Sequence, residues 1–130
     1  MTAFVRVGFS GDFGGNFFLT RLVGTARARE LYFTGRPVDA DEALTLGLVN
    51  RVVPDDQLHD ATMELARALA QGPSVALSLM KRNLNCAESG DLTELLYMEA
   101  VHQVQAGRTE DHREAARAFV EKRTPVFTGR

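Results

Sequence analysis

The chain has 130 residues, of which 45% are hydrophobic and 25% are charged, and these values are ordinary for a folded domain. Its net charge of -2 excludes a general attraction to nucleic acid or to an anionic membrane, because either would require a basic surface. The single cysteine, Cys86, excludes an internal disulfide and a cysteine-based zinc site. No apolar run approaches the roughly 20 residues of a membrane span, so we expect a cytoplasmic protein.

Short elements are predicted for the first part of the chain. Residues 1–9 alternate weakly between apolar and polar and predict a strand, and residues 48–53 form the other β-like run. Two short strands do not make a stable sheet on their own. Apolar residues at helical spacing predict a helix that ends at Gly24, a second that ends at Gly35, and a third that begins with a reciprocal cap between Asp39 and Glu42.

Longer amphipathic helices with short connections are predicted after Pro54, as in a helical bundle. Either Ser89 or Asp91 is placed to cap one of them, and Thr109 to cap the last, which runs to about Lys122. We therefore divide the chain into residues 1–53 and residues 54–130. The predicted fold is mainly α, a helical bundle with one or two short strands.

A glycine-rich segment, residues 8–15 (GFSGDFGG), is the first candidate for chemistry. Its four glycines allow the backbone to come close to another group, and Asp12 is the only carboxylate among them. The alternative is an ordinary turn before a helix.

Metal chemistry is not expected. The three histidines, His59, His102 and His112, fall on different predicted helices and have no metal-ligand spacing.

The last predicted helix ends in a basic region. It carries Arg113, Arg117, Lys122, Arg123 and Arg130. Phe119 precedes Lys122 by three residues, so an aromatic ring and a cation are presented together, which suits an adenine nucleotide moiety. The alternative is that the basic residues only complement the helix dipole.

Four segments in order resemble the enoyl-CoA hydratase/isomerase (crotonase) family. They are residues 19–24 (LTRLVG), 28–35 (ARELYFTG), 39–54 (DADEALTLGLVNRVVP) and 118–127 (AFVEKRTPVF). The resemblance covers essentially the whole chain but only about the C-terminal half of a family member, so we expect a fragment or a truncated product. It implies that residues 1–53 are the end of an α/β crotonase core and residues 54–130 a helical region that assembles trimers or dimers of trimers.

The resemblance also implies an activity. Family members act on acyl-CoA thioesters as substrates, with no further cofactor, and stabilise an enolate-like oxyanion with two backbone amides. Those amides lie in the N-terminal half of relatives, so we expect this chain to be inactive alone and that half to be a partner. The parental reaction is hydration of 2-enoyl-CoA or double-bond isomerisation. The alternative is a non-catalytic helical module that retains oligomerisation and coenzyme A contacts.

Individual positions follow from the resemblance. Phe4 stands where two-glutamate hydratases carry the second glutamate, and it cannot move a proton. Asp12 matches the proton-transfer Asp of isomerase-type relatives, with Gly11 in place of a proline, and it would serve if Phe9, Phe13 and Phe17 bury it.

The remaining positions concern binding. Gly14 and Gly15 would form one wall of the acyl-CoA pocket, and Phe119 and Lys122 would contact the coenzyme A adenine and phosphates. If Asp12 has no catalytic role, it is a structural residue of the glycine-rich turn.

Overall fold

The computed structural model describes all 130 residues and contains helices but no β-strand. The mainly helical prediction is therefore confirmed. The chain folds as two compact units, Met1–Gln57 and Leu58–Arg130. None of the helices is both long and apolar enough to cross a lipid bilayer.

The first unit begins with a short 3-10 helix, Ala3–Val7, and the strand predicted over residues 1–9 is wrong. Because there is no second strand to pair with, the backbone amides form hydrogen bonds within the segment. The Gly8 and Phe9 amides donate to the carbonyls of Val5 and Phe4 at 3.3 and 3.0 Å. Residues 48–53 form no strand either. The rest of this unit is helix α1 (Gly15–Thr34), helix α2 (Ala40–Thr45) and a 3-10 turn at Asp55–Gln57.

Helix α1 is kinked at Gly24, whose backbone has φ 76° and ψ 164°. The two helices predicted on either side of this glycine are therefore present, joined at a break that a residue with a side chain would adopt only with strain. Gly35 ends α1 in the left-handed conformation, as predicted, and its amide donates to the Leu31 carbonyl at 3.0 Å. Ala28 and Leu31, on the second half of α1, are the buried apolar residues of this unit.

The predicted cap of α2 is half correct. The Asp39 carboxylate accepts the Glu42 amide at 2.8 Å, as expected of an N-cap residue. The Glu42 side chain does not return to Asp39. It binds the Arg36 guanidinium through both oxygens, at 2.7 and 2.6 Å, because a bidentate charged partner is stronger than a backbone amide.

Four helices build the second unit: α3 (Leu58–Ala70), α4 (Ser74–Ala87), α5 (Leu92–Gly107) and α6 (Glu110–Glu121). The caps predicted from the sequence are present. The Asp91 side chain accepts the Glu94 amide at 2.9 Å, and the Thr109 side chain accepts the His112 amide at 3.0 Å. Helix α5 packs against both α4 and α6.

Few large side chains are enclosed by this packing. In the second unit the buried apolar residues are Leu79 and Ala118, and many other large apolar side chains face outward. The helices therefore carry apolar surface that this chain alone does not cover.

Candidate functional site

The glycine-rich segment is a compact turn that leads into α1. The Gly15 amide donates to the Asp12 carbonyl at 2.9 Å, and the Phe18 amide donates to the Gly14 carbonyl at 3.0 Å. Gly14, the N-cap of α1, has φ 77°, which favours glycine. A Cβ atom at Gly14 would also lie 3.1 Å from the Phe18 ring. The structure thus brings Asp12, Gly14 and Gly15 together in one turn.

Tyr32 of α1 lies directly against this turn. A Cβ atom built on Gly11 would approach the Tyr32 ring to 3.1 Å, and one on Gly15 would collide with the Tyr32 hydroxyl. Tyr32 also contacts Phe4, whose ring lies parallel to the Tyr32 ring with centroids 6.3 Å apart. The glycines are therefore needed here for close packing of the turn on α1, a contact that the sequence pattern did not reveal.

Asp12 is exposed, and the enclosure by Phe9, Phe13 and Phe17 that we expected does not form. Phe13 is 97% exposed and stands at φ 49°, a left-handed conformation that is costly for an aromatic residue. The Phe17 ring contacts Arg21 and not Asp12, since the Arg21 guanidinium lies 3.3 Å from the ring centroid. The carboxylate thus projects from a turn rimmed by open aromatic side chains.

The second set of predicted site residues lies at the end of α6. The Phe119 ring is 85% exposed, and Lys122 is exposed in the left-handed conformation with φ 54°. The Lys122 amide donates to the Phe119 carbonyl at 3.3 Å and the Arg123 amide to the Ala118 carbonyl at 3.0 Å, the two bonds of a Schellman ending. Both side chains are therefore open to solvent.

The basic region at the end of this helix is smaller than its sequence suggests. Arg123 is held by two carboxylates: Glu114 binds it at 2.5 and 2.9 Å, and Glu121 binds it at 2.6 Å. Arg130 lies 4.0 Å from Glu110. Lys122 makes no ion pair in the chain, and neither do Arg113 and Arg117, so these three cations of the region remain unpaired.

Asp111 is a residue whose role the sequence did not reveal. It is an acidic residue in the first turn of α6, where the helix dipole favours negative charge, but it is only 2% exposed. Its carboxylate accepts the Thr128 amide at 2.7 Å and the Gly129 amide at 3.0 Å. The partners lie 17 and 18 residues away, so no local pattern could have indicated them.

An open groove of about 440 Å³ lies between α4 and α5. At its wall His102 is only 6% exposed, and its Nδ1 lies 2.5 Å from the Asn83 Oδ1. No cluster of histidine, cysteine or carboxylate side chains is arranged to hold a metal ion.

The Glu114–Arg123 pair predicts a pH dependence of stability. Hydrogen bonds from Arg123 and from the Val126 amide lower the pKa of Glu114 from 4.5 to about 2. The stabilisation is therefore complete above the pKa of the unfolded chain and is lost as the pH falls through about 2. We expect the difference in thermal unfolding temperature between the native protein and Glu114→Gln to be constant near neutral pH and to shrink below pH 4.5.

The measurement is circular dichroism of both proteins across this pH range. Because both carry the same remaining carboxylates, their difference isolates Glu114. A difference that stays the same down to the acid end of the range would contradict the assignment.

The comparisons with known proteins agree with the geometry. The family model of enoyl-CoA hydratase/isomerase matches residues 1–130, the full chain. The chain therefore belongs to the enoyl-CoA hydratase/isomerase family. The predicted fold, the helical C-terminal part of a crotonase fold, is confirmed by the solved structures it resembles.

Two curated relatives and one solved structure are similar over nearly the whole chain. The chain is 41% identical to 1,2-epoxyphenylacetyl-CoA isomerase of Escherichia coli (98% of this chain, 49% of the relative) and 38% identical to the short-chain-enoyl-CoA hydratase of Clostridium acetobutylicum (92% and 46%). The crystal structure of an enoyl-CoA hydratase from Bacillus anthracis is similar with a TM-score of 0.93 at 35% identity, over 98% of this chain and 50% of that one. The chain spans about half the length of the curated relatives it matches.

Proposed function

We propose that this chain supplies part of the acyl-CoA site of an enzyme that hydrates 2-enoyl-CoA thioesters or isomerises their double bond. The observation that carries the proposal is the end of α6, where the exposed Phe119 ring and the unpaired Lys122 ammonium lie three residues apart. An open aromatic face suits the adenine of coenzyme A, and an ammonium suits its phosphates.

Asp12 is the proposed proton-transfer group. Its turn places an exposed carboxylate beside the backbone of Gly14 and Gly15. Phe9 and Phe13 are exposed next to it and offer apolar contacts to an acyl chain. Phe4 has no ionisable group, so within this turn the proton falls to Asp12.

The polypeptide of 130 residues is proposed to bind its substrate without completing the reaction. We infer from the family resemblance that the two oxyanion-stabilising amides belong to the half of the relatives that this chain does not match. Losing such donors costs on the order of a hundredfold or more in rate. The substrate is the thioester itself with no additional cofactor, and the proposed location is the cytosol.

Lys122→Glu tests the binding proposal. Reversing the charge replaces attraction to a phosphate by repulsion, and a hydrogen bond to a charged group contributes about 1.5–3 kcal/mol, so we expect coenzyme A to bind roughly tenfold to a hundredfold more weakly. Isothermal titration calorimetry with coenzyme A measures the change.

Lys81→Glu is the matched control, because it makes the same charge change on an exposed residue of α4. Equal coenzyme A affinity in the native protein and in Lys122→Glu would remove Lys122 from the site. Equal weakening in both variants would show a general charge effect and would also count against the proposal.

A second candidate function is that of a helical assembly module. Helix α5 presents a line of exposed apolar side chains at helical spacing, Tyr97, Val101 and Val104, and Leu92 and Leu96 are exposed on the same helix. Assembly of copies, as trimers or dimers of trimers, would cover such a surface. Light scattering gives the mass directly, and a monomeric chain that turns over crotonyl-CoA would contradict both candidate functions.

A further inference from the structure

The C-terminal tail, residues 124–130, is fastened to the beginning of α6. The two carboxylate oxygens of buried Asp111 accept the amides of Thr128 and Gly129, and the Asp111 amide donates to the Arg130 carbonyl at 3.0 Å. Hydrogen bonds thus run in both directions between helix and tail. A tail held in this way does not move independently of the helix.

A second attachment lies one turn further along α6. Glu114 binds the Arg123 guanidinium through both oxygens and also accepts the Val126 amide at 3.1 Å. Glu121, the last residue of α6, binds the same guanidinium. A planar guanidinium held bidentately by one carboxylate and again by another has little orientational freedom.

Lys122 is the residue between these attachments. It follows the last residue of α6, precedes Arg123, and has the left-handed backbone conformation that residues with a side chain rarely adopt. Such a conformation persists where the surrounding structure over-determines it. Here the Arg123 amide is fixed to the Ala118 carbonyl and the Arg123 side chain to Glu114, so both ends of the residue after Lys122 are held.

We propose that Glu114 and Arg123 are positioning residues for the nucleotide end of coenzyme A. Their ion pair fixes the left-handed turn at Lys122, so that the Lys122 ammonium and the Phe119 ring are offered to phosphate and adenine in one arrangement. Because its carboxylate partners neutralise Arg123, it is Lys122 of these two neighbouring residues that presents an unpaired cation to the phosphates. The inference rests on the proposed function, and it adds residues that act through Lys122 without touching the ligand.

A double-mutant cycle in the full chain tests the inference. Arg123→Gln removes the ion pair that holds the turn, so the turn must be ordered again when a ligand binds. We therefore expect the affinity for coenzyme A and for adenosine 3′,5′-bisphosphate to fall roughly threefold to tenfold. Lys122→Gly removes the ammonium while tolerating the left-handed backbone. In the Lys122→Gly background we expect Arg123→Gln to have no further effect, because a positioning residue acts only through the group it positions. Arg82→Gln on α4 is the control for loss of one exposed arginine.

The outcomes separate the two proposals. Arg123→Gln without effect, while Lys122→Gly weakens binding, overturns the positioning role and leaves the proposed function intact. Equal weakening by Arg123→Gln in both backgrounds also overturns it, since Arg123 would then contact the ligand itself. Lys122→Gly without effect counts against the proposed function, and the inference then falls with it.

Amide hydrogen exchange provides a readout that needs no ligand. We expect the amides of Lys122, Arg123 and Val126 to exchange faster in Arg123→Gln than in the native protein, because their hydrogen bonds depend on the held turn. Unchanged exchange at these amides would overturn the inference independently of coenzyme A binding.

Discussion

Asp12→Asn is expected to reduce the turnover of 2-enoyl-CoA substrates by about a hundredfold or more, since a positioned general acid or base contributes roughly 10²–10⁴ in rate. Asparagine keeps the size and shape of the side chain but neither releases nor accepts the proton. The effect should fall on kcat more than on KM, because Asp12 is proposed to act on the reacting carbon and not on the nucleotide end of the substrate.

The measurement is made in this chain joined to the half of a relative that it does not match, once that assembly turns over crotonyl-CoA. Asp41→Asn is the matched control, because Asp41 is an exposed carboxylate of the first unit outside the glycine-rich turn. Undiminished turnover of every enoyl-CoA tried would eliminate Asp12 from the mechanism.

Asp111→Ala is expected to lower the free energy of unfolding by about 3 kcal/mol, since each hydrogen bond to a charged group contributes roughly 1.5–3 kcal/mol and the abandoned amides are partly buried. The loss should be concentrated in the second unit, where residues 124–130 would no longer be held to α6. Urea unfolding followed by circular dichroism measures the change.

Glu64→Ala serves as the control, because Glu64 is an exposed acid on α3 whose side chain makes no hydrogen bond or ion pair in the chain. A loss of stability no larger than that of Glu64→Ala would show that the tail contributes little. In that event the contacts of Glu114 with Arg123 and Val126 would be the ones that hold the C-terminal tail to α6.

Local signals in the sequence were the dependable ones. Asp39, Asp91 and Thr109 cap their helices by accepting an amide three residues away, and Gly24 and Gly35 adopt the conformations that their positions require. These features depend on contacts within one helical turn, so the chain specifies them before any tertiary contact forms. The order of four motifs indicated the family for the same reason, since it is a property of the chain alone.

The incorrect predictions each concerned a partner at a distance. Alternation in residues 1–9 is compatible with a strand, but a strand needs a neighbouring strand for its backbone hydrogen bonds. Without one, Ala3–Val7 forms a 3-10 helix. The reciprocal cap failed because Arg36 competes for Glu42. Enclosure of Asp12 failed because Phe13 projects outward and Arg21 occupies Phe17.

By itself, then, the sequence determined the helices, their ends, the family and the candidates Asp12, Phe119 and Lys122. Tertiary structure alone decided which charges remain available. Arg123 and Lys122 are adjacent and look equivalent in the sequence, yet Glu114 and Glu121 pair with the first and leave the second free. The reason is physical: the charge that a residue offers to a ligand depends on which opposite charges the fold brings within hydrogen-bonding distance.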